Sequence, residues 1–446
     1  MSAQLPTRRK FLAATTLTVV AREVVGATKD NPPGDRLNIA GIGVGGMGAA
    51  NLRNLERTDN IVALCDVDHN YAAHTFRRYP KAKVYTDYRQ MLDKQKEIEA
   101  VVIATPDHTH AVVTLAAMKA GKHVYTQKPL THDIYEARML AEMARKTKVA
   151  TQMGIQGHSG EGIRLIREWI ADGAIGEVRG VDAWCSLSYY PWGHASWSSP
   201  YGPRRPKDTP PVPPKLDWDL WIGPARYRPY HRAYHPRTWR CWLDFGSGMM
   251  GDRGAHTLDP VVFALDLGAP TSIEATSLGL NPDSHPIASI VTYRFPARGN
   301  LPPVKLTWYE GLRPPRPAEL EDGRILGGRE GGALFKGTKG KLMCGVYGGG
   351  PRLIPESAMR AYKLPPKTIP RVRGGHEQDW ARAAKTGKKA GACFEYSGPL
   401  TEICILGRVA QQMDARIEWD AENMKVTNLP KANRLVRKEY RKGWSL

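Results

Sequence analysis

Two rhythms of hydrophobic positions divide the chain. From Arg36 to about Gln156, short unbroken apolar runs alternate with stretches whose apolar residues fall three and four apart. "RLNIAGIGVGGMGAANLRNL", starting at Arg36, reads as a strand, a glycine turn and an amphipathic helix. The runs Asn60–Asp68, Glu99–Pro106 and Lys122–Pro129 predict three more strands, and "VATQMGIQ" another. "HTHAVVTLAAMKAG" and "DIYEARMLAEMARKTK" predict helices between them, the first with a glycine stop. Strands that are apolar throughout, separated by helices, predict a parallel sheet buried on both faces. Beyond Gln156, "GEGIRLIREWIADGAIG" predicts a helix. The alternating stretches "EVRGVDAWCSL", "SIEATSLGL", "ASIVTYRFPA", "PVKLTWYEG" and "ALFKGTKGKLMCG" predict an open, largely antiparallel sheet covered by helices on one face. "PLTEICILGRVAQQM", Pro399 to Met413, predicts a closing helix.

The fold class expected is therefore α/β: an N-terminal doubly wound parallel sheet followed by an α+β domain. The boundaries expected are 1–27, 28–155 and 156–446, with an aromatic and proline-rich insertion at about 187–243. The first segment is not part of the fold. "PTRRKFLAA" places a paired arginine, Arg8-Arg9, before Phe11-Leu12 and a mild apolar run too short for a membrane span. This is the pattern of a twin-arginine export signal, and it predicts a periplasmic or extracytoplasmic protein that folds before it is exported. No later stretch has the length and apolarity of a transmembrane helix.

Composition adds two points. The formal charge is +20, yet the basic residues are spread out apart from "RLVRKEYRKGW" near the end, and no nucleic-acid module is present. The expectation is a solvated basic surface, with attraction to an anionic glycan as the sharper alternative. The six cysteines are scattered without a CxxC pair, which argues against a zinc ribbon or redox dithiol and leaves disulfides open.

The glycine turn brings in chemistry. Gly43, Gly45 and Gly48 spell G-x-G-x-x-G between a strand and a helix, the arrangement that brings backbone amides against a pyrophosphate. With Gly46 and Met47 they form the expected cofactor turn of a Rossmann domain. Asp66 ends the second predicted strand 18 residues after Gly48, where a carboxylate accepts ribose hydroxyls. Asp68 adds a second negative charge that would repel a 2′-phosphate, so the cofactor expected is NAD.

In order along the chain, the glycine turn, "ATPDHTHA", "QKP" and "GDRGAHTLD" resemble the glucose–fructose oxidoreductase/inositol dehydrogenase (Gfo/Idh/MocA) family, in its exported branch. The resemblance implies that Lys128 binds a substrate hydroxyl near the transferred hydride, that His256 is the general base, and that Asp252 positions it or contacts the sugar. Gln127 stands where the family has glutamate. Thr105 and Pro106, with His108 and His110 behind, match the loop passing the nicotinamide ribose; one of the two histidines is expected only to cap the next helix. The resemblance further implies a homodimer or homotetramer. Independently, a spacing of four places Asp252 and His256 on one helix face, and histidine is the natural base for alcohol oxidation at neutral pH.

The insertion is crowded with tyrosine, tryptophan, histidine and proline, a composition suited to a sugar cleft. Tyr190, His194, Tyr234, His235 and, nearer the first domain, His158 are the substrate-contact residues expected. "YHRAYHP" lacks a partner carboxylate, so no metal is expected. The activity expected is removal of hydride from a ring carbinol of a sugar or glycoside, with an acidic sugar as the sharper alternative and a tightly held NAD regenerated in place. A redox-neutral, NAD-assisted glycosidase similar to glycoside hydrolase family 109 and an inactive sugar-binding protein stand as alternatives.

Overall fold

The computed structural model describes residues 35–189 and 203–446. The expected leader, Tyr190 and His194 lie outside the described residues. The first sheet takes its strands from the apolar runs: β1 (Asn38–Ile42), β2 (Asn60–Cys65), β3 (Lys83–Tyr85), β4 (Ala100–Ile103), β5 (His123–Gln127) and β6 (Thr151–Gly154). All pair in parallel in the order 3-2-1-4-5-6, the doubly wound arrangement with its switch point at β1 and β4. The short strand β3, with two exposed residues, has no apolar run to announce it. The connecting helices are α1 (Met47–Leu55), α2 (His69–Arg78), α3 (Tyr88–Lys94), α4 (Asp107–Lys119) and α5 (Ile134–Thr147). Asp133 and Glu136 form a capping box that starts α5, satisfying amides that have no intrahelical partner.

The second domain opens with α6 (Glu161–Ala171) and β7 (Val178–Cys185), followed after the insertion by α7 (Trp218–Ile222) and α8 (Ala255–Leu265). A π-turn, Met250–Gly254, leads into α8. Strands β8 (Ser272–Leu278), β9 (Ala288–Phe295), β10 (Val304–Glu310), β11 (Gly331–Gly337), β12 (Lys341–Gly345) and β13 (Arg352–Ile354) come next. The chain ends with α9 (Glu356–Ala361), α10 (His376–Thr386), α11 (Phe394–Met413), β14 (Arg416–Asp420) and β15 (Lys425–Val426). The nine strands of this domain run 13-12-11-7-10-9-8-14-15. Every pair is antiparallel except β7 with β10, so the sheet is mixed. The stretch "ALFKGTKGKLMCG" is a hairpin, because Gly337 and Gly340 turn the chain between β11 and β12. Helix α11 begins five residues before the expected Pro399, whose missing N–H falls within the first two turns.

The two halves are interleaved. Trp380 and Ala381 of α10 complete the apolar cluster formed by Ile39, Leu52, Leu64 and Tyr125, on one face of the parallel sheet. The Trp380 indole lies edge-on to Tyr125 at 5.7 Å and donates to the Ala150 carbonyl. Among the described residues, no helix is long and apolar enough to cross a membrane.

Candidate active site

A cavity of about 400 Å³ opens at the switch point and runs from the glycine turn to α8. At its start, Gly43 has φ +77°, and a Cβ there would lie 2.7 Å from the Ala104 carbonyl group, so the turn admits only glycine. A Cβ on Gly45 would lie 2.1 Å from the ring of Tyr71, which fills the space beside the turn. Gly46 and Met47 line the cavity with them, while Gly48 packs α1 against the turn. Asp66 is buried and accepts from the amides of Val44 (2.8 Å), Gly45 (3.1 Å) and Asp68 (3.0 Å). Burial raises its carboxyl to about 6 against those hydrogen bonds. Asp68 caps α2 and faces Nε2 of His235 at 2.7 Å. Burial would raise its pKa, but His235 and the capping amides hold it below the usual value.

At the far end, Lys128 of the loop after β5 is hydrogen-bonded to Asp252 of the π-turn, and His256 stands one turn further along. All three line the cavity. Tyr189 donates to the other Asp252 oxygen at 3.4 Å, and Arg240 Nε lies 3.9 Å from that oxygen. Burial opposes the Asp252 charge, but Lys128 and Arg240 prevail and hold the carboxyl well below the carboxylate range. Burial, then the charge of Lys128, pushes His256 well below 6.5, so its ring is neutral at physiological pH. Its Nδ1 is buried with no partner among the described residues. The same holds for Thr105 Oγ1 in the loop after β4. Two orphaned polar atoms in a groove that begins at a glycine turn fit a bound dinucleotide with a polar substrate beside it.

Several expected residues have other work. His108 does not line the cavity: its ring nitrogens lie 2.9 Å from the Trp221 carbonyl and 3.3 Å from that of Phe245, tying α4 to the insertion. Burial lowers its pKa to about 3. His110 is in the cavity wall, but its nitrogens lie 2.8 Å from the carbonyls of Thr105 and Pro129, so it joins the loops after β4 and β5. His158 lies outside the cavity, packed on Tyr396 and paired with Asp259 at 2.8 Å. Tyr234 is likewise core, edge-on to Trp242 and Phe245. His235 does reach the cavity, beside Asp68 at the glycine-turn end and not beside Lys128. Gln127 lines the cavity and donates to Asn51, which in turn donates to the buried carboxylate of Glu377 on α10. Thus the Glu377 carboxylate stands two hydrogen bonds from Gln127.

Arg240, Arg253 and Tyr347 went unnoticed in the sequence. Arg253 follows Asp252 in "GDRGAH", and Arg240 is carried by the insertion. Tyr347 sits in a run of glycines, "CGVYGGGP", with a left-handed backbone (φ 65°, ψ 16°) and its ring edge-on to His256 at 4.6 Å. A lone aromatic residue in a glycine run was the available signal.

A doubly wound domain whose glycine turn shares one cavity with a lysine, an aspartate and a histidine defines an NAD-binding oxidoreductase scaffold. The model of the Gfo/Idh/MocA oxidoreductase family's NAD-binding Rossmann fold matches residues 37–155, and that of the family's C-terminal alpha/beta domain matches residues 185–299. The chain belongs to this family. It is 30% identical to the inositol 2-dehydrogenase of Salmonella typhimurium over 141 residues, 30% of this chain and 42% of that enzyme. It is 28% identical to the levoglucosan dehydrogenase of Pseudarthrobacter phenanthrenivorans over 115 residues, 26% of this chain and 29% of that enzyme. These matches span less than half of either relative. Among solved structures, an NAD-binding protein from Listeria innocua superposes with a TM-score of 0.59 at 16% identity, covering 86% of this chain and 97% of that one. An inositol dehydrogenase homolog from Azotobacter vinelandii, complexed with NADH and myo-inositol, gives 0.58 at 16% identity, covering 86% and 98%. The fold is theirs.

Proposed function

We propose that the chain is an exported NAD-dependent oxidoreductase acting on a ring carbinol of a sugar or glycoside, with its cofactor regenerated in place. The observation that carries this reading is the convergence of Lys128, Asp252 and His256 in the cavity that begins at the glycine turn. NAD, when bound, supplies the hydride acceptor; Gly45, Gly46, Asp66 and Thr105 would hold it. Neutral His256 accepts the hydroxyl proton through a ring nitrogen. Lys128 donates a hydrogen bond to the same oxygen, and Asp252, bonded to its ammonium, keeps it aimed. Inositol and levoglucosan dehydrogenases among the relatives support a polyol substrate. Arg8-Arg9 with Phe11-Leu12 supports export.

A second reading rests on Tyr347 beside His256. Oxidation at C3 of a glycoside acidifies the C2–H bond; a base takes that proton, the aglycone leaves from C1, water adds and the carbinol is restored. Such a cycle needs one more proton-transfer group than simple oxidation, and the position of Tyr347 beside His256 supports this reading.

The test is single-turnover reduction of the bound nicotinamide in the full chain by a panel including myo-inositol, levoglucosan and uronic acids, with its reoxidation by a second sugar, alongside aglycone release from aryl glycosides. His256→Asn is expected to lower turnover by about 10²- to 10⁴-fold. Because His256 is held neutral well below 6.5, the wild-type kcat/KM is expected to stay level as pH falls through 6.5. Aglycone release without net NADH would establish the second reading. Absence of both activities would leave a sugar-binding protein.

A further inference from the structure

We infer that Trp444, near the chain's C-terminus, is a binding residue for the adenine of the dinucleotide, held in place by a tail bonded to both the parallel-sheet domain and the insertion. The inference rests on the NAD groove described above and concerns its opposite end. In a doubly wound fold the acid at the end of β2 marks the ribose, and adenine lies beyond it, away from the catalytic end. Here that region is bounded by Thr86 and Tyr88 after β3, Thr109 of α4, Leu220 of α7 and Trp444. The indole is half-buried, and the Arg89 guanidinium lies over it at 5.1 Å. An aromatic ring at a groove end is a stacking platform that any purine can use.

The path of the tail makes this a built feature. The Val436 carbonyl accepts from the Tyr135 amide at 3.1 Å. Lys438 pairs with Glu136 at 3.0 Å, and Tyr440 donates to the same carboxylate at 2.6 Å. Arg441 then crosses to α7: its Nε donates to the Gly223 carbonyl at 3.1 Å and its guanidinium pairs with Asp219. The Trp444 amide donates to the Arg441 carbonyl at 3.1 Å. The insertion is fixed over the same region by His235 on Asp68 and by the Asp217 amide on the Val67 carbonyl at 2.9 Å. The basic run expected to be a solvated surface is thus, at Lys438 and Arg441, bonded to α5 and α7. Trp444 lies beyond residues 37–155 and 185–299, which the two family models match.

The experiment compares the full chain with Trp444→Ala and Trp444→Phe, measuring binding of NAD, AMP and nicotinamide mononucleotide and the rate at which NAD dissociates. Trp444→Ala is expected to weaken NAD and AMP by about ten- to a hundredfold, while nicotinamide mononucleotide is unaffected. Trp444→Phe keeps a stacking ring and is expected to retain most of the affinity. Arg441→Ala is expected to hasten NAD dissociation with Trp444 intact. Equal AMP binding by wild type and Trp444→Ala, with normal sugar-dependent NADH formation, would overturn this inference alone. Failure of the wild type to bind NAD would overturn it together with the proposed function.

Discussion

Tyr347 holds a backbone conformation that costs a bulky residue roughly 1–2 kcal/mol, and its neighbours are arranged to keep it there. A Cβ on Gly157 would lie 2.7 Å from that of Tyr347, and one on Gly162 would lie 2.1 Å from the Gly348 carbonyl oxygen. The phenol oxygen accepts from the Arg253 guanidinium, and burial raises its pKa, so it stays protonated and keeps its O–H to donate. Tyr347→Phe keeps the ring on His256 and removes the hydroxyl, both as donor and as acceptor for Arg253. It is expected to lower kcat/KM on the best sugar by about tenfold, since one hydrogen bond to substrate contributes on the order of 1 kcal/mol, with NAD affinity unchanged. A drop in NAD affinity would instead place the phenol on the cofactor. At this scale the sequence is legible where backbone geometry or a motif demands one residue type. Gly43 must be glycine, and Lys128 and His256 carry their motifs. Tyr347, Arg240 and Trp444 arrive at the cavity on loops and a tail without periodicity, and His158 and Tyr234 are aromatic groups that core packing uses as readily as a ligand would.

Elements followed the hydrophobic rhythm closely because their faces are buried. β1 and β4 are apolar throughout, and β9 alternates as a strand with one covered face should. The alternation breaks at Glu310, the last residue of β10, buried and accepting from Gln411 Nε2 at 2.7 Å and Trp308 Nε1 at 3.3 Å. Burial raises its carboxyl from 4.5 to about 7. The folded state therefore binds a proton more readily than the unfolded one. The contribution of Glu310 to stability is full below pH 4.5 and falls as pH rises through 7, by on the order of 3 kcal/mol once the group is fully ionised. Glu310→Gln keeps an acceptor for Gln411 and is expected to raise the melting temperature at pH 8 while changing little at pH 5. Thermal melts at the two pH values check this, and an equal shift at both would remove ionisation as the cause.

For the whole molecule, all six cysteines are free, five of them buried and Cys393 half-buried. Burial raises the thiol of Cys185 to about 12, so it is a poor thiolate former. Six thiols per chain are expected to titrate after unfolding, and reductant is expected to leave the melting temperature unchanged; fewer thiols would reveal a bridge. The interleaving of α10 with the parallel sheet carries a consequence for biosynthesis. As the chain leaves the ribosome, residues 38–154 emerge complete in sequence but with Ile39, Leu52 and Tyr125 bare on one side. Their cover, Trp380, is made more than two hundred residues later. The cofactor domain therefore reaches its native packing only when translation is nearly finished, and a nascent chain stalled before α10 is expected to bind chaperones.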